Sequence, residues 1–174
     1  MRSKTLKQIL SLVFFSFATT MQAADLPQRK SGLWEMTMTG VQTDNKPQTV
    51  LTCVEKKADT GLGSAFGKTK AKNCDDPTIR KQAGKISVTS VCKFAESTVT
   101  TNATVTGNFD SNYRIERTAN FNPPRKGMKQ ATDVIEAKWL SACKKGQRAG
   151  DMIMPDGTKF NLLDMQKLES SKQP

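Results

Sequence analysis

Apolar and polar positions alternate with period two over most of the chain, which is the signature of half-buried strands rather than helices. The stretch 33–39 places Trp34, Met36 and Met38 on one face. Gly40 and the Thr43–Pro47 segment punctuate it, and 49–54 is its hairpin partner. Residues Glu55–Thr60 read as a short helix or turn, and the loop to Lys72 carries Gly61, Gly63 and Gly67. Strands at 78–81 and 85–94 form the next hairpin, with Ile86, Val88, Cys92 and Phe94 on a common face. A three-residue loop, Gln82-Ala83-Gly84, suits Gly84 in a left-handed position, so that Lys81 faces Lys85 and Cys74 faces Cys92. Pro77 bulges this strand or confines it to an edge. In 97–109 Val99, Thr101, Ala103, Val105 and Phe109 share a face, and the intervening threonines and Asn102 are polar. Tyr113, Ile115, Ala119 and Phe121 alternate along the strand that follows, which the 122–127 segment breaks. The last long strand, 129–140, has Ala131, Ile135, Ala137 and Trp139 on one side, with Asp133 interrupting that apolar row. The pattern predicts a mainly β domain: an antiparallel meander of about six strands that can curl into a half-barrel, with one short helix. After Cys143 the composition turns polar and basic, so residues 144–174 read as a C-terminal appendage with a small hairpin near 152–160.

The first 24 residues follow a different logic. Arg2, Lys4 and Lys7 precede an apolar run from Ile9 to Ala18, and Thr19–Ala24 ends in small residues. A run of about ten residues matches the core of a secretory signal and falls well short of the roughly 20 needed to span a bilayer. The expected product is an exported chain cut after Ala23 or Ala24, without a transmembrane segment. The domain reading is 1–24 signal peptide, 25–143 disulfide-stapled domain and 144–174 basic extension. Loss of the first segment leaves 24 basic against 16 acidic side chains, a balance of +8.

Export gives the four cysteines, Cys53, Cys74, Cys92 and Cys143, a meaning: an even count in an oxidising compartment reads as two disulfides. Three pairings are formally open. The hairpin register selects Cys74–Cys92, which leaves Cys53–Cys143. A zinc site would lack the paired spacing such sites show. No metal and no cofactor are expected.

The chain has no histidine. That removes Ser-His and Cys-His nucleophiles and the usual general base near neutral pH. Asp75-Asp76 stand before Pro77, a turn signal without a second acidic cluster to complete an acid/base pair. The sequence therefore points away from an enzyme. Basic pairs recur at Lys56-Lys57, Arg80-Lys81, Arg125-Lys126 and Lys144-Lys145/Arg148, with Lys68, Lys70 and Lys72 between them. They are scattered rather than striped and lack exposed aromatics, which argues against nucleic acid.

The Gly32-Leu33-Trp34-Glu35 opening, the cysteine at the end of the second strand, the Cys74–Cys92 hairpin unit and Trp139-Leu140-Ser141-Ala142-Cys143 together carry a resemblance. The chain resembles the exported bacterial proteins of domain-of-unknown-function family 3617 over roughly 31–143, departing from the usual glycine before the last cysteine at Ala142. The resemblance implies a bacterial envelope location, chiefly the periplasm, and no particular chemistry. Two functional readings follow. One is a non-enzymatic binding or envelope-associated module whose curved sheet lines a small apolar ligand with Trp34, Met36, Met38, Phe94 and Trp139. The other is an interaction protein that docks on an anionic envelope component through its basic loops.

Overall fold

The computed structural model describes residues 26–58, 73–94 and 96–171. The signal-peptide reading of 1–24 and the glycine-rich loop lie outside these residues. The remainder forms one antiparallel sheet of nine strands: β1 (Gly32–Gly40), β2 (Gln48–Val54), β3 (Thr78–Gln82), β4 (Lys85–Phe94), β5 (Ser97–Asn108), β6 (Asn112–Arg125), β7 (Met128–Ser141), β8 (Asp151–Ile153) and β9 (Lys159–Asn161), followed by a helix, α1 (Leu162–Ser171). The expected short helix after the second strand is a 3-10 turn, Lys56–Ala58. Among the described residues no helix is long and apolar enough to cross a membrane.

The spatial order is β3-β4-β5-β6-β7-β1-β2-β8-β9. Strands β3 to β7 are the expected meander. The last of them returns to β1, so the first hairpin lies inside the sheet, between β7 and β8. The sheet is not closed, and β3 and β9 are its ends, an order compatible with a half-barrel. The sheet has nine strands rather than about six, in part because the segment after Cys143 adds β8 and β9 outside β2.

Register explains which sequence positions become core. One row runs from Ile86 through Val105, Ile115 and Ile135 to Met38, apolar across five strands. Beside it, Tyr113, Ala137, Met36 and Val50 are aligned. Trp34, Val54, Ile86, Val88, Ala103, Val105, Tyr113, Ile115 and Ala137 form the buried cluster, with Leu26, Ile79, Phe109 and Trp139 among those packed against it. Burying side chains of this size contributes roughly 1.5–3 kcal/mol each, so these rows dominate stability. Asp133, the polar interruption in β7, sits opposite Arg117 in β6. The Arg117 Nη2 and Nε donate to Asp133 Oδ2 at 2.8 and 3.0 Å. Gly40 lies across from Asp133 on β1, where an added Cβ would fall 2.5 Å from Asp133 Oδ1 and 2.8 Å from the Thr132 carbonyl oxygen. The glycine that punctuates the first strand is thus what gives the ion pair its space.

Two turns differ from the sequence reading. The β3–β4 turn is two residues, Ala83-Gly84, with Gln82 rather than Lys81 opposite Lys85 and Gly84 at φ 70°. That register alone would put Cys92 out of line with Cys74. Three residues, Asp75, Asp76 and Pro77, stand against Ser90 and Val91, and this bulge restores Cys74 opposite Cys92. Proline cannot donate to the ladder, so the irregularity falls where it sits. The strand expected to break at 122–127 instead runs to Arg125, with a register shift after Asn120, and turns at Lys126-Gly127. Both turn residues have positive φ (50° and 78°), the combination that matches strand twist in a two-residue hairpin.

Candidate functional site

The disulfides are Cys53–Cys143 and Cys74–Cys92, with Cα separations of 5.5 and 3.9 Å. The first fastens the end of β2 to the chain just beyond β7, and the second links the start of the β3 arm to β4.

The five side chains expected to line an apolar ligand do not share one place. Trp34, Met36 and Met38 follow one another on β1, and Trp139 is the register partner of Trp34. Trp34 is fully buried and its indole Nε1 donates to the Lys30 carbonyl at 2.8 Å, so it is a satisfied core residue. Trp139 is held from outside: its Nε1 donates to the Ser31 carbonyl at 3.1 Å, and the Lys30 ammonium lies 3.8 Å from the ring centroid. Met36 packs against the core with its sulfur 3.7 Å from Arg29 Nη1. Phe94 stands apart, at the end of β4 with β5, β6 and β7 between it and β1. It is 45% exposed, with Arg125 5.6 Å from its ring centroid. Period-two reading places side chains on a face correctly, but it carries no distance along or across the sheet. Four of the five lie on the paired strands β1 and β7, and Phe94 does not.

The arrangement with chemical content lies in the segment after Cys143. A cleft of about 460 Å³ is lined by Lys144, Lys145, Arg148 and Lys159, by Asp151 and Asp164, and by the apolar walls Met152, Ile153 and Phe160. Its frame begins at β2, where the Gly150 N–H donates to the Cys53 carbonyl at 2.9 Å, next to the disulfide. Gly150 has φ 84°, and an added Cβ there would lie 2.8 Å from Leu163 Cγ, so the helix packs directly on this glycine. Asn161 caps α1: its Oδ1 accepts from the Asp164 N–H at 3.0 Å, while its Nδ2 donates to Asp151 Oδ1 at 2.7 Å and the Ala149 carbonyl at 2.9 Å. One buried side chain thereby ties helix, turn and β8 together.

Charge in the cleft is unbalanced. Arg148 takes both acids: its backbone N–H donates to Asp151 Oδ2 at 2.9 Å and its guanidinium pairs with Asp164. The Arg148 backbone N–H, then the Asn161 amide and the Arg148 and Lys159 charges, hold the Asp151 carboxyl below its ordinary value. Lys144, Lys145 and Lys159 have no carboxylate within ion-pair distance among the described residues. The cleft is a cationic recess with an apolar wall. The structure brings one of the basic groups visible in the sequence, Lys144-Lys145/Arg148, together with a distant lysine, Lys159. The signal that could have found Lys159 was the Pro155-Asp156-Gly157 turn, which folds β9 back onto β8.

A family model described as a protein of unknown function, DUF3617, matches residues 29–143. The chain belongs to the DUF3617 family. The match covers β1 to β7 and both disulfides and stops where the cationic cleft begins, so that cleft is built by residues beyond the family's matched region. No curated protein matches the chain, and no solved structure matches it.

Proposed function

We propose that this DUF3617 protein is an exported, non-enzymatic binding module that takes up an anionic group in the cleft after Cys143. The observation that carries the reading is three lysines without ion-pair partners among the described residues, around a recess of about 460 Å³ whose two acids are both occupied by Arg148. Such a recess attracts anions, because lysines gathered around one cleft raise the local positive potential above that of scattered surface charges. Export is supported by the charged, apolar and small-residue order of residues 1–24, and by two disulfides, which persist in an oxidising compartment such as the periplasm. The absence of histidine from the sequence supports binding rather than acid/base catalysis.

The test is binding of soluble polyphosphate to the disulfide-bonded chain at low and physiological ionic strength. Binding that weakens with salt and is largely lost in K144Q/K145Q/K159Q is the expected outcome. Equal binding by that variant and the unaltered chain would refute the cleft as the site. Fractionation of the expressing cell, with mass analysis of the product, tests export: a full-length cytoplasmic chain would refute it.

A further inference from the structure

The cleft does not end at its charged rim. Asp164, which lines it, is the third residue of α1, and Leu168 lies four residues on, one turn further along the same helix face. Leu168 is 61% exposed, and Met165, three residues before it, is 46% exposed. Lys167 between them is exposed as well. Two large apolar side chains are therefore partly exposed on the helix that borders the cationic recess. Single exposed apolar residues are ordinary. An exposed apolar pair with Lys167 between its members, on a helix that borders a cationic recess, suits an interfacial anchor, in which cations meet anionic headgroups while apolar side chains enter the acyl boundary.

Resting on the anion-binding reading of the cleft, we propose that its partner is an anionic lipid bilayer surface, with Lys144, Lys145 and Lys159 on the headgroups and Met165 and Leu168 seated below them. Charge complementarity argues for this occupant: the chain without its first 24 residues carries +8, and each lysine near an anionic membrane contributes about 1 kcal/mol. The exposed apolar pair separates a bilayer from a soluble acidic polymer, since a dissolved polyanion offers those two side chains nothing to enter. Both are on the helix surface, so replacing them with glutamine, a good helix former, leaves the fold unstrained.

The experiment is vesicle co-sedimentation of the disulfide-bonded chain with phosphatidylglycerol in phosphatidylcholine and with phosphatidylcholine alone, in parallel with soluble polyphosphate. The expected result is binding to anionic vesicles only. K144Q/K145Q/K159Q weakens it by about 100-fold, and M165Q/L168Q weakens it by roughly 10-fold or more while leaving polyphosphate binding unchanged. Polyphosphate binding that depends on the lysines, with no vesicle binding or with vesicle binding indifferent to M165Q/L168Q, overturns the bilayer proposal and leaves the anion-binding cleft standing. Vesicle binding indifferent to the lysines overturns the proposal too. Failure to bind either probe overturns both readings. Circular dichroism of each variant excludes unfolding as the cause of a loss.

Discussion

Replacing Gly32 with alanine tests how the start of β1 is seated. Gly32 has φ 139°, a backbone conformation that L side chains rarely adopt, which costs about 1–3 kcal/mol for a residue with a Cβ. The new methyl would also lie 3.1 Å from Trp139 Cε2 and closer still to Trp139 Nε1 and the Ser141 carbonyl oxygen. The carbonyl is sheet backbone. The indole is held by its bond to the Ser31 carbonyl and by Lys30 over its ring. Displacing it adds an overpacking cost of about 1–3 kcal/mol and a lost hydrogen bond of about 1 kcal/mol. The sum is roughly 3–7 kcal/mol, and at about 2–4 °C per kcal/mol for a chain of this size the melting temperature should fall by roughly 6–28 °C. Gly84→Ala is the control: φ is 70° and nothing lies within 4 Å of the added Cβ, so it carries only the backbone cost, about 1–2 kcal/mol. Urea unfolding followed by tryptophan fluorescence, with disulfides intact, reads both variants. Gly32→Ala should be the worse by at least about 2 kcal/mol. Equal costs would refute the crowding argument and with it the placement of Trp139 against the first strand.

Removing the Cys53–Cys143 bridge, which closes a separation of 90 residues, should cost about 1.4 kcal/mol more than removing Cys74–Cys92, which closes 18, on loop entropy alone; denaturant midpoints of the two double-alanine variants measure the difference, and the opposite order would count against that account. Trp34→Ala should destabilise by about 3–5 kcal/mol because the side chain is fully buried, whereas Phe94→Ala, at 45% exposed, should cost much less, as thermal melts of the pair would show. The depressed Asp151 carboxyl gives stability that is fully present above its unfolded value of 3.8 and is lost as pH falls through the lower folded value, so Asp151→Asn should flatten the acid limb of a melting-temperature profile. Truncation after Lys145 should leave a folded sheet, since among the described residues the buried cluster and the apolar side chains packed on it reach no further than Trp139; loss of cooperative unfolding in that product would show that the tail is integral to the core.

Strand faces and the cysteine pairing were legible from the chain before any fold was known. Period-two alternation is a local property of an extended chain, so Trp34, Ile86, Val88, Val105, Tyr113 and Ile115 declared their burial without reference to any partner. Cys74 and Cys92 were legible because a hairpin fixes its partners by counting from the turn. Even there the count was off by one at Ala83-Gly84 and was made good by the bulge at Asp75–Pro77. Tertiary structure alone decided what lies far apart in sequence. It put β7 against β1, gave Asp133 its partner in Arg117 and its space at Gly40, and set two strands between Phe94 and Trp139 and three between Phe94 and Trp34. It also brought Lys159 to Lys144 and Lys145, because β9 folds back on β8 and β8 pairs with β2. Alternation says which way a side chain points; only pairing across the sheet says what it points at.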